Sequence, residues 1–181
     1  MNRSSGRSSS QKQQNVNHSA IGGIYVLILT LVRAKHVTVG KIGTIGFARG
    51  FYAYVGSAMG PGGFKRVERH LDVGAGRKKT RKWHIDHLLA LAEIIAVWKV
   101  ATHALIECEI ARSLAANPML TSFNGFGSSD CSCSSHLFCA TQLQDLNSAM
   151  QKLIEDHREE LSGAVSIDIL KEDCTDADVA R

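Results

Sequence analysis

The segment Cys131-Ser132-Cys133-Ser134-Ser135-His136, with Cys139 beyond it, gathers thiols and an imidazole at a density that can ligate Zn²⁺. Its spacing, C-x-C-x₂-H, is not a common zinc pattern. On a strand, Cys131 and Cys133 would face one way and His136 the other. A fourth ligand would have to come from elsewhere, such as Cys108 or His84. The expectation is that these thiols pack as small hydrophobes, with zinc as the weaker alternative. A Cys–His nucleophile is weaker still, because no base and orienting group stand beside one thiol.

A second group is cationic. Residues 65–82 carry Lys65, Arg66, Arg69, Arg77, Lys78, Lys79, Arg81 and Lys82, with Glu68 and Asp72 as the only acids. Gly74, Gly76 and Thr80 interrupt the run, which suggests an exposed loop. A one-sided basic surface fits a polyanion partner, and nucleic acid is the commonest. The plainer alternative is a solvated helix face and loop. The net charge of +4 conceals this polarity. Residues 1–100 hold 16 of the 21 Lys and Arg and 4 of the 17 Asp and Glu, a balance of +12, so residues 101–181 stand at −8.

The elements that must carry these residues follow from hydrophobic pattern. Residues 24–32 form a nearly unbroken apolar run, as expected of a central strand buried on both faces. Residues 37–41 suggest a short partner strand. Residues 51–57 suggest a third, with Tyr52, Tyr54 and Gly56 on one face and Phe51, Ala53 and Val55 on the other. A β-hairpin or meander at the amino end follows. Gly60-Pro61-Gly62-Gly63 then opens a helix over 63–71, with Phe64, Val67 and Leu71 inward and Arg66, Arg69 and His70 on another face. Helices are expected over 83–91 and 104–116, and strands over 93–101 and 165–170. A last helix begins at Thr141, where Gln144 completes a capping-box pattern. Residues 119–130 read as a Gly/Ser loop. The segment 131–140 is ambiguous.

At 181 residues with 44% apolar and 21% charged side chains, the chain has the composition of one soluble α+β domain, about residues 21–161. No apolar run is long enough to cross a membrane. Residues 1–20 hold no acid and little apolar surface, so disorder is expected there. A flexible acidic tail is expected over 162–181. Without an export signal, five cysteines point to reduced thiols and a cytoplasmic location, or a nuclear or organellar one in a eukaryote.

Three stretches in order carry a family resemblance: Gly23-Ile24-Tyr25, then Tyr54-Val55-Gly56-Ser57-Ala58, then Lys65-Arg66-Val67-Glu68-Arg69-His70. With Glu107 on a later helix, they resemble the GIY-YIG nuclease superfamily. Trp83-His84-Ile85-Asp86, Glu107-Cys108-Glu109 and Gly127-Ser128-Ser129-Asp130-Cys131-Ser132-Cys133 are similar to a little-characterised branch of it. Some members of that branch are fused to DNA-repair glycosylases of the endonuclease III type. The resemblance covers about residues 22–140. It implies a mainly antiparallel central sheet flanked by helices, and metal-dependent endonuclease activity on DNA, with a DNA-repair glycosylase as a functional partner.

By the same resemblance, Tyr25 is the base or orients it, and Tyr54 positions the water. Arg66 pairs with phosphate oxygens, a task that suits a planar guanidinium. Glu107 holds one Mg²⁺ or Mn²⁺, with Glu109 as its competitor. His70 and His84 assist proton transfer. Asp86, Asp130 and His136 line the cleft of Arg66 beside His84, and Asn124 is the candidate closing Asn. Tyr25 and Tyr54 are 29 residues apart, more than is usual in the superfamily. The insert, residues 32–50, is expected to be a hairpin or loop that either reshapes the substrate groove or holds the tyrosines apart. Each residue also has a plainer role: packed tyrosines, a surface charge cluster at Arg66, and a Glu107 that only favours a helix dipole. A nucleic-acid-binding module that does not cut is the alternative function.

Overall fold

The computed structural model describes residues 22–161 and 165–171. The expectations for residues 1–20 and most of 162–181 fall outside that range. Among the described residues, eight strands and four α-helices form an α+β fold. Strand β1 (Gly23–Leu31) is buried along its whole length, as its apolar run requires. It lies between β4 (Gly50–Ser57) and β5 (Glu93–Ala101), antiparallel to both. Outside these lie β6 (Thr121–Ser122), β7 (Leu137–Ala140) and β8 (Val165–Ile169). The six-stranded sheet runs β6-β7-β4-β1-β5-β8.

Alternation along β1 and β4 sorts the core into two layers. Ile24, Val26 and Ile28, with Phe51, Ala53 and Val55, face α3 (Glu107–Ala115) and α4 (Leu143–Asp156). Tyr25, Leu27 and Leu29, with Tyr52, face α1 (Lys65–Gly74) and α2 (His84–Leu89). Helices therefore cover both faces of the sheet.

Residues 32–50 form a separate hairpin. Strands β2 (Lys35–Val39) and β3 (Gly43–Phe47) pair only with each other, so the expected pairing of 37–41 with the central strand is corrected. The insert leaves the ladder between β1 and β4 continuous, with Tyr25 opposite Gly56 and Leu27 opposite Tyr54. Sequence distance between the tyrosines is thus absorbed outside the sheet.

Other departures have local causes. Helix α3 begins at Glu107 rather than 104, because Thr102 Oγ1 accepts the Ala104 N–H and holds a turn there. Helix α4 begins after Gln142, which makes no side-chain cap bond, so the capping box from Thr141 does not form. Helix α1 turns His70 inward with Val67 and Val73, not outward with Arg66. The inward ring has one hydrogen-bond partner, the Tyr25 hydroxyl described below, which offsets part of its burial.

Candidate active site and Cys/His cluster

The sheet end where β1 starts and β4 stops opens into a polar cleft of about 350 Å³. Tyr25, Tyr54, Arg66, His84, Glu107 and Asp130 all line it, together with Lys82 and Trp83. They come from both central strands, three helices and two loops. A groove of similar size between α3 and α4 is lined by Leu114, Pro118, Ala149 and Leu153, and its charged Lys152 and Asp156 pair with each other.

Tyr25 is 1% exposed, and its hydroxyl is 2.9 Å from His70 Nε2. Burial raises the phenol well above its ordinary pKa. Burial also lowers His70, which therefore sits neutral beside it. On its far side, His70 Nδ1 faces Asp86 Oδ1 at 3.6 Å, too long for a full hydrogen bond. The ring needs space from the opposite strand. A Cβ on Gly56 would overlap the Tyr25 phenol, so glycine is required there by close approach. Burial likewise raises Tyr54. Gly127, at φ +75°, lets the 123–136 loop pass close against the Tyr54 ring.

Arg66 donates to the Ser57 carbonyl at 2.9 Å, which anchors its guanidinium at the cleft wall. Trp83 lies beneath it, 5.3 Å from ring centroid to guanidinium carbon. The same ring carries Arg69 at 4.1 Å and Lys82 at 5.5 Å. His84 Nδ1 accepts the Gly127 N–H at 3.1 Å, which assigns the ring's N–H to Nε2. Glu107 is half-buried in the cleft, whereas Glu109 faces solvent. The two carboxylates are thereby told apart.

Several expected site residues lie elsewhere. Asp86 is fully buried and does not line the cleft. It accepts Arg69 in a fork at 2.8 and 2.6 Å and the backbone N–H groups of Lys82 and Trp83 at 2.7 and 3.0 Å. Although burial alone would raise it, these donors and His70 hold its carboxyl far below the usual range. Arg69 is thus committed to Asp86, and Arg77 pairs with Asp72. Lys65, Lys78, Lys79 and Arg81 are exposed, and Lys82 reaches the cleft. Asn124 does not line it. Nothing in the sequence pattern paired Arg69 with Asp86. The aromatic directly after a cationic run was a visible signal for Trp83 as a platform.

The Cys/His segment is a loop, not a strand, since β7 begins only at Leu137. The opposite-face objection to shared ligation therefore fails. Cys108, from the first turn of α3, completes a cluster with Cys131, Cys133 and His136 whose ligand atoms all lie within 4.8 Å of one another. This set could hold a metal ion. His136 is 2% exposed; its Nε2 is 3.4 Å from Cys131 Sγ, and its Nδ1 is 3.2 Å from Glu107 Oε1. Burial disfavours the imidazolium, but Glu107 and the thiols outweigh it and push His136 up to about 9. Burial and the neighbouring thiols push Cys108 up to about 12. Cys133 is held down by Cys108 and His136 despite its burial. Cys139 stands apart on β7, opposite Tyr52. Among the described residues, no helix is long and apolar enough to cross a membrane.

A model of the family described as domain of unknown function DUF123 matches residues 24–159. The match spans both helical layers and reaches from β1 to just beyond α4. No curated protein and no solved structure matches the chain.

Proposed function

We propose that this chain, which belongs to the DUF123 family, is a metal-dependent endonuclease of the GIY-YIG type that hydrolyses phosphodiester bonds in DNA. One observation carries the reading. Tyr25, Tyr54, Arg66, His84 and Glu107, scattered over 83 positions, share one polar cleft. The order of motifs along the chain supports the same reading.

Phosphodiester hydrolysis needs a base for water, a cation for the phosphate, and charge relief at the leaving oxygen. Tyr25 is a poor base by itself, because burial keeps its proton on. His70 resolves this: its neutral Nε2 accepts the Tyr25 proton across 2.9 Å as the phenol takes one from water. The imidazolium so formed faces Asp86, which stays ionised. Tyr54 orients the water from the adjacent strand. Arg66, steadied by the Ser57 carbonyl and by Trp83, stabilises the charge that builds on the phosphate. His84 Nε2–H donates a hydrogen bond to the departing oxygen, which takes its proton from solvent water. Glu107 and Asp130 give the cleft hard oxygen donors, a set that fits Mg²⁺ or Mn²⁺. When bound, such an ion supplies Lewis-acid charge neutralisation.

The exposed Lys78, Lys79 and Arg81, a few residues before the cleft residue Lys82, favour one second reading, a module that binds nucleic acid without cutting it. Nicking of supercoiled and branched DNA with Mg²⁺ or Mn²⁺ separates the two. Cutting should stop with EDTA, return with added Mg²⁺, and fail in Arg66→Ala and Glu107→Ala. A folded protein that binds DNA in a salt-sensitive way but never cuts establishes the second reading.

A further inference from the structure

We propose that Cys108, Cys131, Cys133 and His136 bind one structural zinc ion, and that His136 transmits this ion's position to Glu107 in the cleft. The proposal goes beyond the nuclease reading and does not depend on it.

The four ligand atoms come from two segments, the first turn of α3 and the 123–136 loop. They lie within 4.8 Å of one another. A tetrahedral zinc ion, about 2.3 Å from each sulfur, separates its ligand atoms by roughly 3.8 Å. The 3.4 Å from Cys131 Sγ to His136 Nε2 is already at that scale, and the widest pair needs to close by about an ångström. Three thiolates and one imidazole favour a soft or borderline ion over Mg²⁺. The ion requires three thiolates and an unprotonated His136 Nε2, so the protons on these ligand atoms leave as it enters.

The remaining ring nitrogen gives the site its reach. His136 Nδ1 is buried and has no well-aligned hydrogen-bond partner, yet Glu107 Oε1 lies 3.2 Å away. Metal-bound histidines usually donate that second N–H to a carboxylate, which fixes both groups. Here the carboxylate also lines the cleft. A zinc ion would therefore tie the 123–136 loop to α3 and hold Glu107 in one orientation. Gly127 supports the arrangement, since a Cβ there would stand 3.0 Å from the His136 Cβ.

The test is elemental analysis of the full chain, with Co²⁺ titration after chelation. About one zinc per chain is expected, falling at least tenfold in Cys108→Ser and Cys133→Ser. Cys139→Ser should keep its zinc, because Cys139 lies outside the cluster. Should the cluster variants fail to fold, the wild-type chain still decides the matter. Tetrahedral cobalt–thiolate absorption supports the site; octahedral cobalt bands overturn it. Glu107→Gln should bind zinc roughly 10–100-fold more weakly, the usual cost of losing such a partner. Unchanged zinc affinity in that variant overturns the link to the cleft. Zinc-free protein with bound iron or oxidised cysteines, or equal zinc loss from Cys139→Ser, overturns the site.

Discussion

Asp86→Asn isolates the electrostatic anchor behind the cleft. The carboxylate is fully buried and accepts four N–H groups, two from Arg69 and one each from Lys82 and Trp83. An asparagine has one acceptor oxygen and one donor group. Whichever way the amide turns, its NH₂ meets at least one of those donors. Breaking a buried ion pair from one side costs about 3–5 kcal/mol. The Arg69 side chain keeps 14% exposure, so water can recover part of its charge, and the lower end applies. A loss of about 3 kcal/mol lowers the melting temperature of a chain this size by roughly 6–12 °C. The pH dependence has a definite sign. The folded carboxyl is held far below its unfolded value of about 3.9, so the unfolded chain takes up the proton first as acid is added. The pair's stabilisation is complete above that pH and is lost progressively below it. Thermal melts followed by circular dichroism, at neutral pH and across the acid limb, test both parts. Wild-type and Asp86→Asn should converge as the pH falls. A variant that melts within about 2 °C of wild type at neutral pH, or an unchanged gap in acid, would refute the ion-pair account.

Gly56→Ala drives a methyl group into the Tyr25 phenol and should cost about 1–3 kcal/mol, read by urea unfolding, with nuclease activity falling further than binding. Arg66→Ala should lower the cleavage rate about 10²–10³-fold, and Arg66→Lys should not restore it, because an ammonium cannot grip two oxygens in a plane. Replacing Lys78 and Lys79 together by alanine should weaken DNA binding and flatten its log–log salt dependence by about 0.9 for each phosphate no longer neutralised, measured by fluorescence anisotropy. His70→Ala should raise the pH needed for cleavage, since Tyr25 then loses the neutral acceptor at 2.9 Å; a pH–rate profile reads this directly.

Composition and hydrophobic period were enough to place most elements. The unbroken apolar run of β1, the two-faced alternation of β4 and the span of β5 are local properties of the chain. The charge of the 65–82 run and the set of residues able to do chemistry were equally legible. Which of those residues meet was decided by tertiary structure. Strand pairing sets Tyr25 opposite Gly56 across an insert whose hairpin pairs only with itself. Arg69, one of eight cations in its run, is drawn out of the solvent-facing set by a buried carboxylate 17 residues away. Cys108 meets Cys131 and Cys133 because α3 and the 123–136 loop converge at one end of the sheet. Local pattern reports what a residue prefers nearby; a cleft and a ligand set depend on distances between segments that only the closed fold fixes.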